Sequence, residues 1–329
     1  MNSKVTSDRK TDLEEFVQSH FPEGVEKYTA LQGDAGFRSY FRIQANDNSY
    51  IVMDCPPTYC SIEPFIEIGR YLRSQNFSAP EIFHFDVKKG FIVLEDLGGF
   101  NIKNFIQNSP NVLHKDIYYL IMDTLISLQE KEPVSNLKIY DNKFLLDELK
   151  IFAEYYVPYA LNRNLTLIEL AEYQDIWQEI LENQIPFNNC LVLRDYHVEN
   201  IMYLEKYKDI KALGLLDFQD AIIGSPIYDL VSILEDARIK VPKDLAFDCI
   251  NYFAKKKKLE LEDLLINYHI LGAQRNSRIL GVFARKFVRD QNDNYLQYMP
   301  LVLEYLNHDF SHPVMSKLKN WFSRVVIGV

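Results

Sequence analysis

Glycine, proline and cysteine are scarce in this 329-residue sequence, at 12, 13 and 4, and each shortage excludes something. So little glycine and proline rules out a collagen-like chain or a flexible linker protein. The four cysteines, Cys55, Cys60, Cys190 and Cys249, form no C-x-x-C pair of the kind that holds structural zinc or runs dithiol chemistry. Buried free thiols in a reducing compartment are expected. Long apolar runs are missing too: no uncharged stretch approaches the roughly 18 residues of a membrane span. The N-terminal MNSKVTSDRKTDLEEF carries charge where a secretion signal places its apolar segment, so a cytoplasmic protein with no membrane partner is expected. Basic residues are outnumbered, 36 Lys and Arg against 46 Asp and Glu for a net charge of −10. That balance disfavours the clustered cations a nucleic-acid surface needs and suits a small-molecule substrate.

Hydrophobic residues make up 47% of the chain and charged residues 25%, enough apolar side chain for a sizeable core. A short helix is expected over 13–21. Strands are expected over 37–43 and 50–53, joined by the turn-forming Asn46-Asp47-Asn48 and ended by Pro56-Pro57. Apolar residues from 62 to 75 recur at helical spacing, and Phe91-Ile92-Val93-Leu94 reads as a buried strand running into Gly98-Gly99. Helical periodicity then dominates: Leu113, Ile117, Leu120, Ile121, Leu125 and Leu128 trace one buried face, with looser repeats over 143–161, 168–182, 226–238, 261–288 and 295–306. The organisation expected is a sheet-rich N-terminal lobe over 1–99 and a larger helical lobe over 100–329.

Two short apolar segments interrupt the helices, 190–193 and 213–216, and each ends at an aspartate. The first leads into Arg194-Asp195-Tyr196-His197-Val198-Glu199-Asn200, with an Asp five residues before an Asn. The second leads into Asp217-Phe218-Gln219-Asp220, 22 residues after Asp195. Phosphoryl transfer needs a carboxylate to orient and deprotonate an attacking hydroxyl, and oxygen ligands for Mg²⁺ bridging nucleotide phosphates. Asp195 suits the first role, Asn200 and Asp217 the second. The spaced pair of motifs is far more specific than either alone.

Those segments resemble the aminoglycoside phosphotransferase and choline kinase superfamily, whose fold is that of protein kinases. GFRSYFRI, VMDCPP, FIVLEDLGG, LRDYHVENIM, LLDFQDAIIGSPIYDLVSIL and GAQRNSRILGVFARKFVRD, spread in order over about 28–310, are similar to one branch. That branch comprises bacterial kinases that phosphorylate the anomeric hydroxyl of N-acetylmuramate and N-acetylglucosamine in cell-wall recycling. The resemblance implies an α+β, protein-kinase-like two-lobe fold and an ATP- and Mg²⁺-dependent kinase of a small amino sugar. Acceptors such as an aminoglycoside or choline-like alcohol, and a nucleotide-binding pseudokinase, stand as alternatives.

Residue by residue, the resemblance makes Asp195 the base, Asn200 and Asp217 metal ligands, Asp220 an acidic group beside metal or substrate, and His197 support for the loop. Asp229, opening a helix in Tyr-Asp-Leu, is implied as a structural anchor, a role that an N-cap carboxylate also fills. Gly33 and Gly36, in the loop over the nucleotide, are implied to approach its phosphates, and the strand end at Glu95-Asp96-Leu97 to bind adenine through its backbone. Leu193 stands where the superfamily usually has histidine, and Met53 where protein kinases place the phosphate-binding lysine. Arg38 and Arg42, on one strand face, are candidates to replace that lysine, and solvated surface charges remain the alternative. Glu63 and Glu67 read as surface charge. For the acceptor, a helix carrying Asp147, Glu148, Glu154, Tyr155 and Tyr156 favours a cation, whereas Arg275, Arg278 and Arg285 favour a carboxylate. His308 and His312, four apart with Pro313 following, read as surface histidines.

Overall fold

Asn46 and Asp47 both adopt left-handed backbone angles, φ 51° and 60°, and Ala45 pairs with Asn48. Positive φ at both central residues is what a two-residue type I′ hairpin demands, and Asn and Asp tolerate it. The computed structural model describes residues 7–31, 37–110 and 112–326. Two compact units share the chain: Met1–Ile102 with Asn200–Asp220, and Lys103–Glu199 with Ala221–Val329.

In chain order, the chain begins with α1 (Ser7–His20), β1 (Lys27–Leu31), β2 (Ser39–Ala45), β3 (Asn48–Asp54), α2 (Glu63–Ser74), β4 (Ile82–Asp86) and β5 (Phe91–Glu95). After α3 (Ile102–Asn108) and α4 (Val112–Gln129), α5 (Asn142–Ile151) continues through a π turn (Phe152–Tyr156) into α6 (Val157–Leu161), and α7 spans Leu167–Glu182. Short strands follow: β6 (Cys190–Val192), β7 (Ile201–Tyr203), β8 (Leu213–Leu215) and β9 (Ile222–Gly224). The remainder is α8 (Ile227–Leu234), α9 (Lys243–Lys257), α10 (Leu261–Val288), α11 (Met299–Asp309) and α12 (Ser316–Val325).

The first unit is built on an antiparallel sheet of order β1-β2-β3-β5-β4. Alternation along β2 and β3 sends Ile43, Ala45 and Val52 to one face, where they join Phe91 and Val93 against Leu13, Phe16 and Val17 of α1 and Phe21 just after it. Each such side chain, fully buried, contributes about 1.5–3 kcal/mol. Arg9 fixes α1 by pairing with the buried Asp54. The sequence reading omitted β1 and β4. Both are edge strands: β1 is almost wholly exposed, and β4 buries none of its residues fully, so neither carries a strong apolar pattern.

Cys55 and Cys60 correct the expectation of free thiols. Pro56-Pro57 opens a tight turn in which Tyr59 and Cys60 both donate to the Pro56 carbonyl. The turn brings the two cysteine Cα atoms to 5.7 Å, and the thiols form a disulfide. Cys190 and Cys249 are buried and free.

In the second unit, α10 is the longest helix and is buried along most of its length. Both tryptophans of the chain are here, Trp177 of α7 and Trp321 of α12, each almost without exposure. The sequence reading expected one helix over 143–161; a π turn interrupts it where α10 crosses. Gly281 lies so close to that crossing that a Cβ there would stand 2.6 Å from the Ile151 carbonyl oxygen. No main-chain atom retreats that far cheaply. Gly281→Ala should therefore lower stability by about 1–3 kcal/mol, the usual cost of overpacking. It should appear as a lower urea midpoint with an unchanged m-value in far-UV circular dichroism; an unshifted midpoint would contradict the crossing.

Candidate active site

Leu193 and Arg194 follow β6 directly, and their two backbone N–H groups donate to opposite oxygens of Asp229, at 2.7 and 2.9 Å. Arg194 takes φ 69°, a conformation that costs a non-glycine residue energy and persists only under such restraint. Asp195 is thereby presented at the turn, partly exposed, with its N–H donating to the Leu193 carbonyl and its own carbonyl accepting from His197 N–H. Burial first, then the nearby Arg238 and Arg275, push the His197 imidazole well below its ordinary pKa, so it packs the loop as a neutral ring.

A second set of anchors holds the loop's far end. The Val198 N–H donates to Asp236 at 3.0 Å, while Glu199 accepts from Arg238 and from Lys103, both at 2.7 Å. Sequence reasoning missed Asp236 and Arg238: Asp236 stands seven residues after Asp229, just past the end of α8, where no local motif marks it.

Glu148 is not open to a ligand. Its carboxylate accepts from Arg194 and from Tyr140, and Arg278 approaches at 3.1 Å. Burial lowers the Arg278 pKa, but Tyr228, Glu148, Tyr140 and Asp195 together outweigh it and raise it. Arg278 thus feels the carboxylates of both Glu148 and Asp195. Arg275 sits three residues earlier, is only 3% exposed and donates to the Glu235 carbonyl at 3.4 Å. It lies within the core, and Arg278 is the arginine that reaches solvent. A cavity of about 600 Å³ adjoins Tyr140 and Tyr228, but no residue of the 193–200 loop lines it.

In the other unit, β7 and β8 pair so that Leu216 N–H donates to the Asn200 carbonyl at 2.9 Å, which sets Asn200 one residue from Asp217 across the ladder. Asp217 has φ 55°. Phe218 is fully buried, stacked on Phe65 of α2 at 4.8 Å and pressed on Gly69, and this plug fixes the backbone from which Asp217 projects. Gln219 donates to Asp217 at 2.8 Å and to the exposed Asp220 at 3.1 Å, leaving its own Oε1 buried without a partner. Hard oxygen donors such as an amide and a carboxylate suit a small divalent cation that takes its other ligands from phosphate and water. Among the described residues no cluster of three or more His, Cys, Asp or Glu side chains is arranged to hold a metal.

Tyr40 of β2 pairs with Met53 of β3, the residue standing at the lysine position. Burial raises the Tyr40 phenol to about 12; Asp217 adds to the rise and Arg38 opposes it. Arg38 and Asp217 therefore share one environment within this unit, and Arg38 Nε is buried without a hydrogen-bond partner. Arg38 lies just before β2 and so does not share a strand face with Arg42, which is engaged: it donates to both oxygens of Asp96 at 2.6 and 2.9 Å and to the Gly98 carbonyl. Burial alone would raise the Asp96 pKa, but Arg42, Ser49 and the Gly98 N–H hold it below the usual value. Glu95 pairs with Arg73 at 3.3 Å, and Leu97 packs where a Cβ on Gly214 would touch it. Glu63 and Glu67 are exposed. Gly33 and Gly36 lie outside the described residues. His308 is exposed and His312 partly so, as surface histidines are expected to be, and both rings contact that of His269, at 5.3 and 5.0 Å.

Residues 27–248 match the family model described as "Phosphotransferase enzyme family", and the chain belongs to that family. It is a phosphotransferase acting on a hydroxyl group, of α+β, kinase-like fold. Among its relatives is an N-acetylmuramate/N-acetylglucosamine kinase of Neisseria meningitidis, 31% identical over 91% of this chain and 90% of the relative. A protein of the same name from Caulobacter vibrioides is 30% identical over 90% and 91%. Solved structures show the fold: choline kinase LicA from Streptococcus pneumoniae superposes with a TM-score of 0.65 at 12% identity, covering 92% of this chain and all of that one. ADP-bound aminoglycoside phosphotransferase APH(2'')-Ib gives 0.61 at 16%, covering 91% and 98%.

Asp229 yields a pH prediction. An unfolded aspartate releases its proton near pH 4; burial raises Asp229 to about 7, against the opposing pull of the Leu193 and Arg194 N–H groups. The folded state therefore binds more protons over that window, and this group's contribution to stability is lost as pH rises from about 4 to about 7. Between about pH 5 and about pH 8, urea unfolding of the wild type should lose more stability than that of Asp229→Asn. Equal losses would show that Asp229 does not titrate there.

Proposed function

We propose that the chain is an ATP- and Mg²⁺-dependent kinase of N-acetylmuramate and N-acetylglucosamine, acting on their anomeric hydroxyl. The observation that carries this reading is the match, over about nine-tenths of both chains, to relatives bearing that name. The pairing of Glu148 with two arginines supports it over a cationic aminoglycoside or choline-like acceptor, because the carboxylate such a cation would seek is already neutralised.

Asp195 orients the acceptor hydroxyl and takes its proton as the oxygen–phosphorus bond forms; the bond from the γ-phosphorus to the bridging oxygen breaks, and ADP leaves. Asn200 and Asp217 would hold the magnesium, which when bound would supply charge neutralisation at the phosphates. Arg38 provides the cation that Met53 does not, next to Asp217. Asp229 acts through the loop backbone as a positioning residue, keeping Asp195 at its turn. The Glu95–Leu97 strand end receives the adenine through its backbone, and Asp220 lies beside the metal site.

Asp195→Asn should lower kcat by about a hundredfold or more, the scale of a lost general base, with ATP affinity by calorimetry nearly unchanged. Turnover close to wild type would refute the assignment. Product masses after incubation with ATP, Mg²⁺ and a panel of amino sugars, aminoglycosides and choline decide the acceptor; no phosphorylated amino sugar would overturn it.

A further inference from the structure

Along α10 and its end, arginines recur at 275, 278, 285 and 289, and their fates differ. Arg275 is buried on a backbone carbonyl, and Arg289 grips Asp290 at 2.7 and 3.1 Å. Arg278 shares Glu148 with Arg194 and keeps 24% of its side chain exposed. Among the described residues no carboxylate lies within ion-pair distance of Arg285, and its Nε is buried with no hydrogen-bond partner. Glu148 thus serves both Arg194 and Arg278, whereas Arg285, which feels the charge of Arg278, has no carboxylate of its own within that distance among the described residues.

Tyr155, in the π turn, interacts with Arg285. Burial, Arg289 and Arg278 together hold the Arg285 guanidinium below its ordinary pKa, with Tyr155 and Asp290 opposing. Seven residues of helix separate Arg278 from Arg285 by about 10 Å, a span that two long side chains close and an amino sugar bridges. Confined like charges without a counter-ion are costly, and an entering carboxylate relieves that cost through the forked geometry arginine offers.

We infer that Arg285, together with Arg278, forms the anion-recognising part of the acceptor site and selects acceptors that carry a carboxylate over neutral ones. This rests on the sugar-kinase reading above. N-acetylmuramate and N-acetylglucosamine differ in such a carboxylate, so the full-length Arg285→Gln enzyme should show the ratio of kcat/KM for the acidic to the neutral sugar reduced about tenfold or more, the scale of one lost charged hydrogen bond. Arg285→Lys should restore part of that ratio. A ratio within about twofold of wild type, or equal losses on both sugars, would overturn the inference. Calorimetric binding of N-acetylmuramate and of its methyl ester to Asp195→Asn, with and without Arg285→Gln, separates this from the reading beneath it. Carboxylate-dependent binding that vanishes with Arg285, in a protein that phosphorylates neither sugar, would sustain the anion site and sink the sugar-kinase assignment. Binding indifferent to esterification would sink the anion site even if both sugars are phosphorylated.

Discussion

Two hydrogen bonds from consecutive backbone N–H groups to one buried carboxylate hold the turn from which Asp195 projects. Leu193 and Arg194 donate to Asp229, and a residue at φ 69° is thereby held where Asp195 needs it. A charged aspartate with no exposure is expensive to bury; two main-chain donors offset much of the cost, and the raised pKa records what remains. The same carboxylate lies in the first turn of α8, where the helix dipole favours negative charge. Loop geometry and helix start are thus secured by one side chain.

Around that anchor, charge is arranged in shared carboxylates. Glu148 serves Arg194, Arg278 and Tyr140, and Glu199 serves Arg238 and Lys103. Sharing fixes orientation better than isolated pairs do, because moving one donor disturbs the others. It also leaves guanidinium charge on α10 that no carboxylate of its own neutralises among the described residues, at Arg285. The other unit follows a different rule: Asp217 is positioned through an apolar neighbour, Phe218, wedged on Phe65 and Gly69.

Much of this was legible in the sequence, and the exceptions have physical causes. The Asn46-Asp47 turn, the buried strand at 91–94 and the Asp195, Asn200 and Asp217 pattern are local signals, carried by turn chemistry, apolar runs and fixed spacing. What escaped depends on distant partners. Nothing near Arg42 announces Asp96, 54 residues away, and Glu148 carries no mark that it is bound by Arg194 and Arg278. Arg275 and Arg278 look interchangeable along the chain, yet three residues turn one into the core and leave the other at its edge. Cys55 and Cys60 stand at no metal or redox spacing, and only the turn opened by Pro56-Pro57 brings them together.

Tryptophan placement carries an experimental corollary. Trp177 and Trp321 are the chain's only two indoles, and both lie buried in the unit made of 103–199 and 221–329. Emission excited at the red edge of the absorption band therefore originates from that unit alone. The sheet unit, with tyrosines but no tryptophan, is spectroscopically silent there, and a single indole placed in it would give each half its own optical reporter.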